Sequence, residues 1–144
     1  MAGGRRCALR LAQLIETLRP QPVQAVPGLP AYIPGVARIR GQAVPVLDLS
    51  LLLGAAGTPA RRLLTVHAEA RTLALAVESV EGICDIPQHQ FSALPPLLQT
   101  AQSHAVDGLA AAHRELLWLL GCGRLVDESV WRTLEQANAG ATAS

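Results

Sequence analysis

Four histidines and three cysteines are the residues in this chain best suited to metal or nucleophile chemistry, and their spacing argues against both. His67, His89, His104 and His113 form no HxH or HExxH pattern. Cys7, Cys84 and Cys122 are odd in number and far apart, with no CxxC pair and no disulfide framework. The glycines build no phosphate loop, no GxSxG elbow and no dinucleotide fingerprint. Glu16, Asp48, Glu78, Glu81 and Asp85 are separate carboxylates whose spacing argues for caps and solvated faces rather than acid–base work. The expectation is a protein with no catalysis, no cofactor and no metal.

Charge offers a different chemistry. All twelve basic residues are Arg, and the net charge is only +1. That is far from the basic footprint of a nucleic-acid binder. The aromatics Tyr32, Phe91, Trp118 and Trp131 make no stacking platform. Arginine suits planar, bidentate contacts with carboxylates, so the surface suits protein partners. Arg38 and Arg40 stand out, because each sits beside apolar residues in a short strand-like run. The alternative is two solvated arginines on an exposed strand face.

The elements that must carry these arginines are short. Ten prolines and twelve glycines punctuate brief apolar runs, which favours a β-barrel or sandwich. Strands are expected at Cys7–Leu11, Leu14–Leu18, Gly35–Arg40, Ala43–Asp48, Leu63–His67, Thr72–Val77, Val80–Ile86, Val106–Ala111 and Glu115–Leu120. Pro20 to Pro34 holds five prolines and reads as an irregular connection. Gly41-Gln42 is read as a type II′ hairpin loop, which sets Ile39 opposite Val44 and Ala37 opposite Val46. One face then carries Ala37, Ile39, Val44 and Val46. The other carries Val36, Arg38, Arg40 and Leu47. Asp48 is expected to N-cap a short helical turn that stops at Gly54. A further helical turn is expected near Leu97–Ala101. Asp127 should cap a C-terminal amphipathic helix using Val130, Trp131 and Leu134, with 139–144 frayed.

No secretion signal is visible, since Arg10, Gln13 and Glu16 break the apolar stretch after Arg5-Arg6. The charge-free stretches Pro20–Ala37 and Ile86–Val106 are too rich in Pro, Gln or His to span a bilayer. The expectation is a soluble, cytoplasmic protein without direct membrane insertion.

Residues Pro27–Gly54 read PGLPAYIPGVARIRGQAVPVLDLSLLLG. This resembles the signature of the CheW-like family of chemotaxis adaptors: a proline-bounded segment, a Gly-Val strand, a Leu-Arg-Gly turn and a Pro-Val-Ile-Asp-Leu strand. Leu14-Ile15-Glu16 is similar to the family's Val-x-Glu stretch. Leu73–Gly82 is similar to the strand and turn of its second half, and Val106-Asp107-Gly108 with Leu116–Leu120 to its closing hairpin. Arg38 stands where the family has Asn, Glu78 where it has Asp, and Gly121 where it has a polar residue.

The resemblance implies an all-β fold of two small five-stranded SH3-like β-barrel lobes around a shared apolar core, with a short C-terminal helix. It implies one domain over 1–138, the lobes meeting near 54–62. It also implies that a first apolar strand is missing before Cys7, which leaves Cys7–Leu11 an open edge suited to self-association. In function it implies a cytoplasmic adaptor, recruited to membrane-associated arrays, that couples the cytoplasmic tip of chemoreceptors to the regulatory domain of a CheA-type histidine kinase. Arg40, Glu16, Val36 and Leu14 fall on its receptor-docking positions, with Arg38 beside them. Gly35, Gly41 and Asp48 fall on its turn and cap positions. The alternatives are a divergent scaffold or decoy with one partner, and a small-ligand or oligonucleotide-binding barrel.

Overall fold

The computed structural model describes residues 6–53, 59–87, 90–92, 106–112 and 115–143. The expected stop at Gly54, the helical turn near Leu97–Ala101, and His89, His104 and His113 lie outside them. Among the described residues, ten strands form two sheets. They are β1 (Arg6–Ala8), β2 (Leu14–Leu18), β3 (Val23–Gln24), β4 (Gly35–Ile39), β5 (Gln42–Asp48), β6 (Arg62–Ala68), β7 (Arg71–Val77), β8 (Phe91–Ser92), β9 (Val106–Ala112) and β10 (Glu115–Leu120). Two helices join them, α1 (Leu49–Leu52) and α2 (Glu128–Ala143). One sheet runs β2-β6-β7-β5-β4-β3 and the other β1-β10-β9-β8. The fold is mostly β with a C-terminal helix, as the resemblance implied.

The β4–β5 hairpin turns one residue earlier than the loop chemistry suggested. Ile39 pairs with Gln42 and Ala37 with Val44, so Arg40-Gly41 is the loop. Both residues have positive φ, 51° and 78°, the signature of a type I′ turn rather than II′. The cause is twist: both primed turns suit a hairpin, and only the folded chain selects between them. The pairing is offset by two residues from the expected one, so side chains keep their faces. Ala37, Ile39, Val44 and Val46 are all buried, in one cluster with Leu63, Ala74 and Ala76.

Leu47 is a correction. Strand alternation puts it on a mixed outer surface, yet its exposure is 0%. The reason is the parallel pairing of β5 with β7, in which Leu47 meets Leu75. That pairing sets the hairpin at the middle of a sheet covered on both sides. Leu47, Leu73, Leu75, Leu120, Leu125 and Trp131 form the main core between the sheets. Alternation along β7 does the sorting: Leu73, Leu75 and Val77 face the main core, Ala74 and Ala76 the smaller one.

Other expectations shift for local reasons. The strand at Cys7–Leu11 shortens to β1, because a 3₁₀ turn at Leu11–Gln13 takes over before β2. The proline-rich connection contains β3, which pairs with β4 at Ala37 and Val36. Gly35 is required there, since a Cβ would overlap the Gln24 carbonyl. Val80–Ile86 is not a strand; Val80 and Ile83 are exposed, and the segment belongs to neither sheet. Asp48 does cap α1, accepting a 3.3 Å hydrogen bond from the Leu51 N–H. The helix α2 spans Glu128–Ala143.

Two charged clasps fasten the periphery. Arg71 donates to Glu128 at 2.9 and 3.1 Å and to Glu135 at 2.9 Å, and lies 4.8 Å over the Trp131 ring. This anchors α2 on the β6–β7 hairpin. Asp107 of β9 accepts from Arg10 at 2.8 Å and also pairs with Arg124. Gly121 makes room for it, because a Cβ there would sit 2.7 Å from its Oδ1. The third cysteine, Cys122, is buried in the main core, and burial pushes its thiol up to about 11.

The two-sided burial of β5 predicts the cost of truncating it. Leu47→Ala should destabilise by about 2–5 kcal/mol and Val46→Ala by about 1–3 kcal/mol, through lost transfer energy and a cavity. Urea unfolding measures both, and a neutral Leu47→Ala would return Leu47 to the surface.

Candidate docking site

Strand β2 supplies the acidic half of the site. Its pairing with β6 begins at Leu14 opposite Val66, then skips, so that Glu16 lies opposite Thr65 and Leu18 opposite Leu63. The skip is a bulge at Ile15. The β4–β5 turn supplies the basic half. Arg40 Nε donates to Glu16 Oε1 at 2.7 Å, and a terminal guanidinium nitrogen donates to Oε2 at 2.5 Å. This is a bidentate, charge-assisted pair. In the sheet order β6, β7 and β5 lie between β2 and β4. The pair therefore spans the sheet from its first strand to a distant turn, which requires the sheet to curl.

The environment of the two partners is unequal. The Glu16 side chain is 21% exposed and that of Arg40 76%. The Arg40 hydrogen bonds hold the Glu16 carboxyl below its ordinary value, against an opposing push from burial. The same hydrogen bonds raise the Arg40 guanidinium. Arg40 also stands in a left-handed conformation that a non-glycine residue adopts at a cost. A type I′ turn favours Asn-Gly, so Arg is the less suited residue for the backbone. Its side chain is what the position retains.

The structure does not put every expected docking residue on one face. Val36 was read as sharing an outer face with Arg40. It is half-buried against the main core, and Arg40 has left the strand alternation because its φ is positive. Leu14 is likewise half-buried against the main core. Arg38 is exposed. Gly41 completes the turn with φ +78° and open space around it. Thus Glu16 and Arg40 are joined directly, while Leu14 and Val36 pack against the main core.

One feature of the surface was not read from the sequence. An apolar groove of about 1030 Å³ runs between β1, β10 and the segment Val80–Pro87. Leu14 lines it together with Leu11, Val80, Ile83 and Leu116, each of these last four more than 40% exposed. The alternation of Val80–Ile86 hid it, by suggesting a strand. Among the described residues no group of three or more His, Cys, Asp or Glu could hold a metal ion. No helix among them is long and apolar enough to cross a membrane.

The geometry is thus a curled β scaffold that presents an exposed arginine on a turn, held by a carboxylate of a distant strand. The CheW-like domain profile matches residues 1–130, and the chain belongs to that family of chemotaxis scaffold and adaptor proteins. The protein named PilI from Pseudomonas aeruginosa is 31% identical over 121 residues, 82% of this chain and 67% of that one. A probable chemotaxis protein CheW from Rhizobium etli is 26% identical over 111 residues, 75% of this chain and 72% of that one. Among solved structures, the scaffolding protein TtCheW from Thermoanaerobacter tengcongensis superposes with a TM-score of 0.74 at 20% identity. That match covers 83% of this chain and 84% of the other, and it establishes the shared fold.

Two outcomes follow from the pair. Because the folded-state carboxyl of Glu16 is lowered, its contribution to stability is full above the ordinary carboxylate range. It is lost as pH falls through the lowered value. Glu16→Gln should therefore flatten the loss of stability below about pH 4, as read by urea unfolding across the acid range. Arg40→Asn relieves the left-handed strain and Arg40→Ala does not, so Asn should melt at a higher temperature than Ala. The reverse order would mean that turn strain is negligible.

Proposed function

We propose that this chain is a chemosensory adaptor that docks the cytoplasmic tip of a chemoreceptor and couples it to a CheA-type histidine kinase. The observation that carries the receptor half is Arg40, an arginine held in a turn that suits it poorly and aimed by a bidentate bond to Glu16. Strain of this kind persists where a side chain is needed. Four-fifths burial on the Glu16 side fixes the carboxylate, and the exposed guanidinium keeps donors for a partner. Leu14, on the opposite face of β2 from Glu16, opens onto the apolar groove, a separate surface. Arginine is enriched in binding hot spots. The kinase half rests on the family, whose CheW members serve chemotaxis.

The test uses the variant that preserves the turn. Arg40→Asn should reduce co-sedimentation with receptor-bearing membranes roughly tenfold in affinity while the melting temperature holds. Wild-type docking in that variant would remove Arg40 from the receptor surface. The kinase contact should be mainly apolar, because the chain is only 16% charged. A pull-down of the kinase regulatory domain should then vary little between low and high salt, and steep salt dependence would contradict it.

A further inference from the structure

The bulge on β2 decides which way Glu16 points, and one buried hydroxyl sits on it. Leu14 pairs with Val66, whose side chain is in the main core. In a regular ladder the next pairs would be Ile15 with Thr65 and Glu16 with Leu64, which is also a main-core residue. The carboxylate would then share a face with that core. The extra residue at the bulge instead sets Glu16 opposite Thr65, on the face of Leu63 and the smaller core. In that register its carboxylate bonds to Arg40.

Thr65 is 2% exposed, and its hydroxyl donates to the backbone carbonyl of Glu16 at 3.3 Å. Thr65 and Ser50 are the buried polar side chains among the described residues. A buried hydroxyl without a partner is costly, so the two features require each other. A slip of β2 into the regular register would move the Glu16 carbonyl away from Thr65 and turn the carboxylate toward Leu64.

We propose that Thr65 is a positioning residue for the docking pair: its hydroxyl pins the β2 bulge and thereby aims Glu16 at Arg40. The proposal rests on the docking reading for its biological consequence, and on the ladder geometry alone for its structural one. Thr65 touches no partner. It acts through Glu16, so its loss should appear in the titration and mobility of the pair, not merely in stability.

The experiment compares Thr65→Val, which keeps the shape and removes the donor, with Thr65→Ser, which keeps the donor. NMR titration of the Glu16 side-chain carboxyl and the signal of the Arg40 Nε–H report on the pair in the full chain. In Thr65→Val the Glu16 titration should move up toward the ordinary carboxyl range, and the Arg40 Nε–H should exchange faster with water. Docking to receptor-bearing membranes should weaken by roughly tenfold. Thr65→Ser should restore all three. If Thr65→Val does not fold, Thr65→Ser and Thr65→Ala carry the comparison, since both lose the methyl group and only Ala loses the donor. A folded Val or Ala variant with the Glu16 titration and the Arg40 signal unchanged overturns the proposal. Arg40→Asn separates the two readings. Wild-type docking in that variant defeats the docking assignment, while the carboxyl titration still decides the role of Thr65.

Discussion

The parallel pairing of β5 with β7 is the constraint on which the rest of this molecule depends. It places two strands that are apolar on both faces at the centre of a six-stranded sheet. Large side chains, Leu47, Leu73 and Leu75, fill one side, and small ones, Ala74 and Ala76, the other. That asymmetry lets one side of the sheet receive a second lobe, β9, β10 and α2, while the other closes on itself. Parallel strands require cover on both faces, and this sheet has it. Burial of this pair also anchors the base of the β4–β5 hairpin, which carries the left-handed Arg40 at its tip.

The docking pair follows from that closure. Glu16 and Arg40 are 24 residues apart and lie in distant parts of the sheet order. Their bidentate bond exists because the sheet curls until β2 approaches the β4–β5 turn. An exposed ion pair of this sort contributes little to stability by itself. Its effect is geometric: the bidentate bond restricts a long, flexible arginine to one orientation, which under the proposed docking role would lower the entropy lost on binding. The bulge on β2 and the left-handed Arg40 are two irregularities that serve one contact. Neither is needed by the core, and each departs from what its local sequence favours.

The two peripheral clasps play a different part. Arg71 with Glu128, Glu135 and Trp131 returns the C-terminal helix to the six-stranded sheet, and Asp107 with Arg10 and Arg124 ties the other sheet to the segment between β1 and β2. Each joins elements well separated in the chain, Arg71 to Glu128 across 57 residues and Arg10 to Asp107 across 97. Both rely on arginine, in keeping with a chain that has no lysine. The planar fork suits contacts to several acceptors at once, as at Arg71, where a point charge would serve less well.

Glu16 became a candidate only through the family resemblance, whereas the sequence by itself determined the strand-rich class, the two faces of the hairpin and the cap at Asp48, and it singled out Arg40. These rest on local rules: a period of two, glycine in turns, a carboxylate ahead of a helix. Faces survived even where the turn was misplaced, because an offset of two residues preserves the alternation. Only the tertiary structure decided that Leu47 is buried, that Val80–Ile86 joins neither sheet, and that a strand lies within the proline-rich connection. In each case the deciding neighbour is distant in sequence: Leu75 for Leu47, Val36 and Ala37 for β3. The same holds for the site. Glu16 and Arg40 were legible as separate candidates, but their bond was not, because it depends on sheet curvature and on a one-residue bulge. No local pattern in Leu14–Leu18 marks that bulge. It is set by which residues of β6 the strand meets, and by a threonine hydroxyl that finds its acceptor only once the chain has folded.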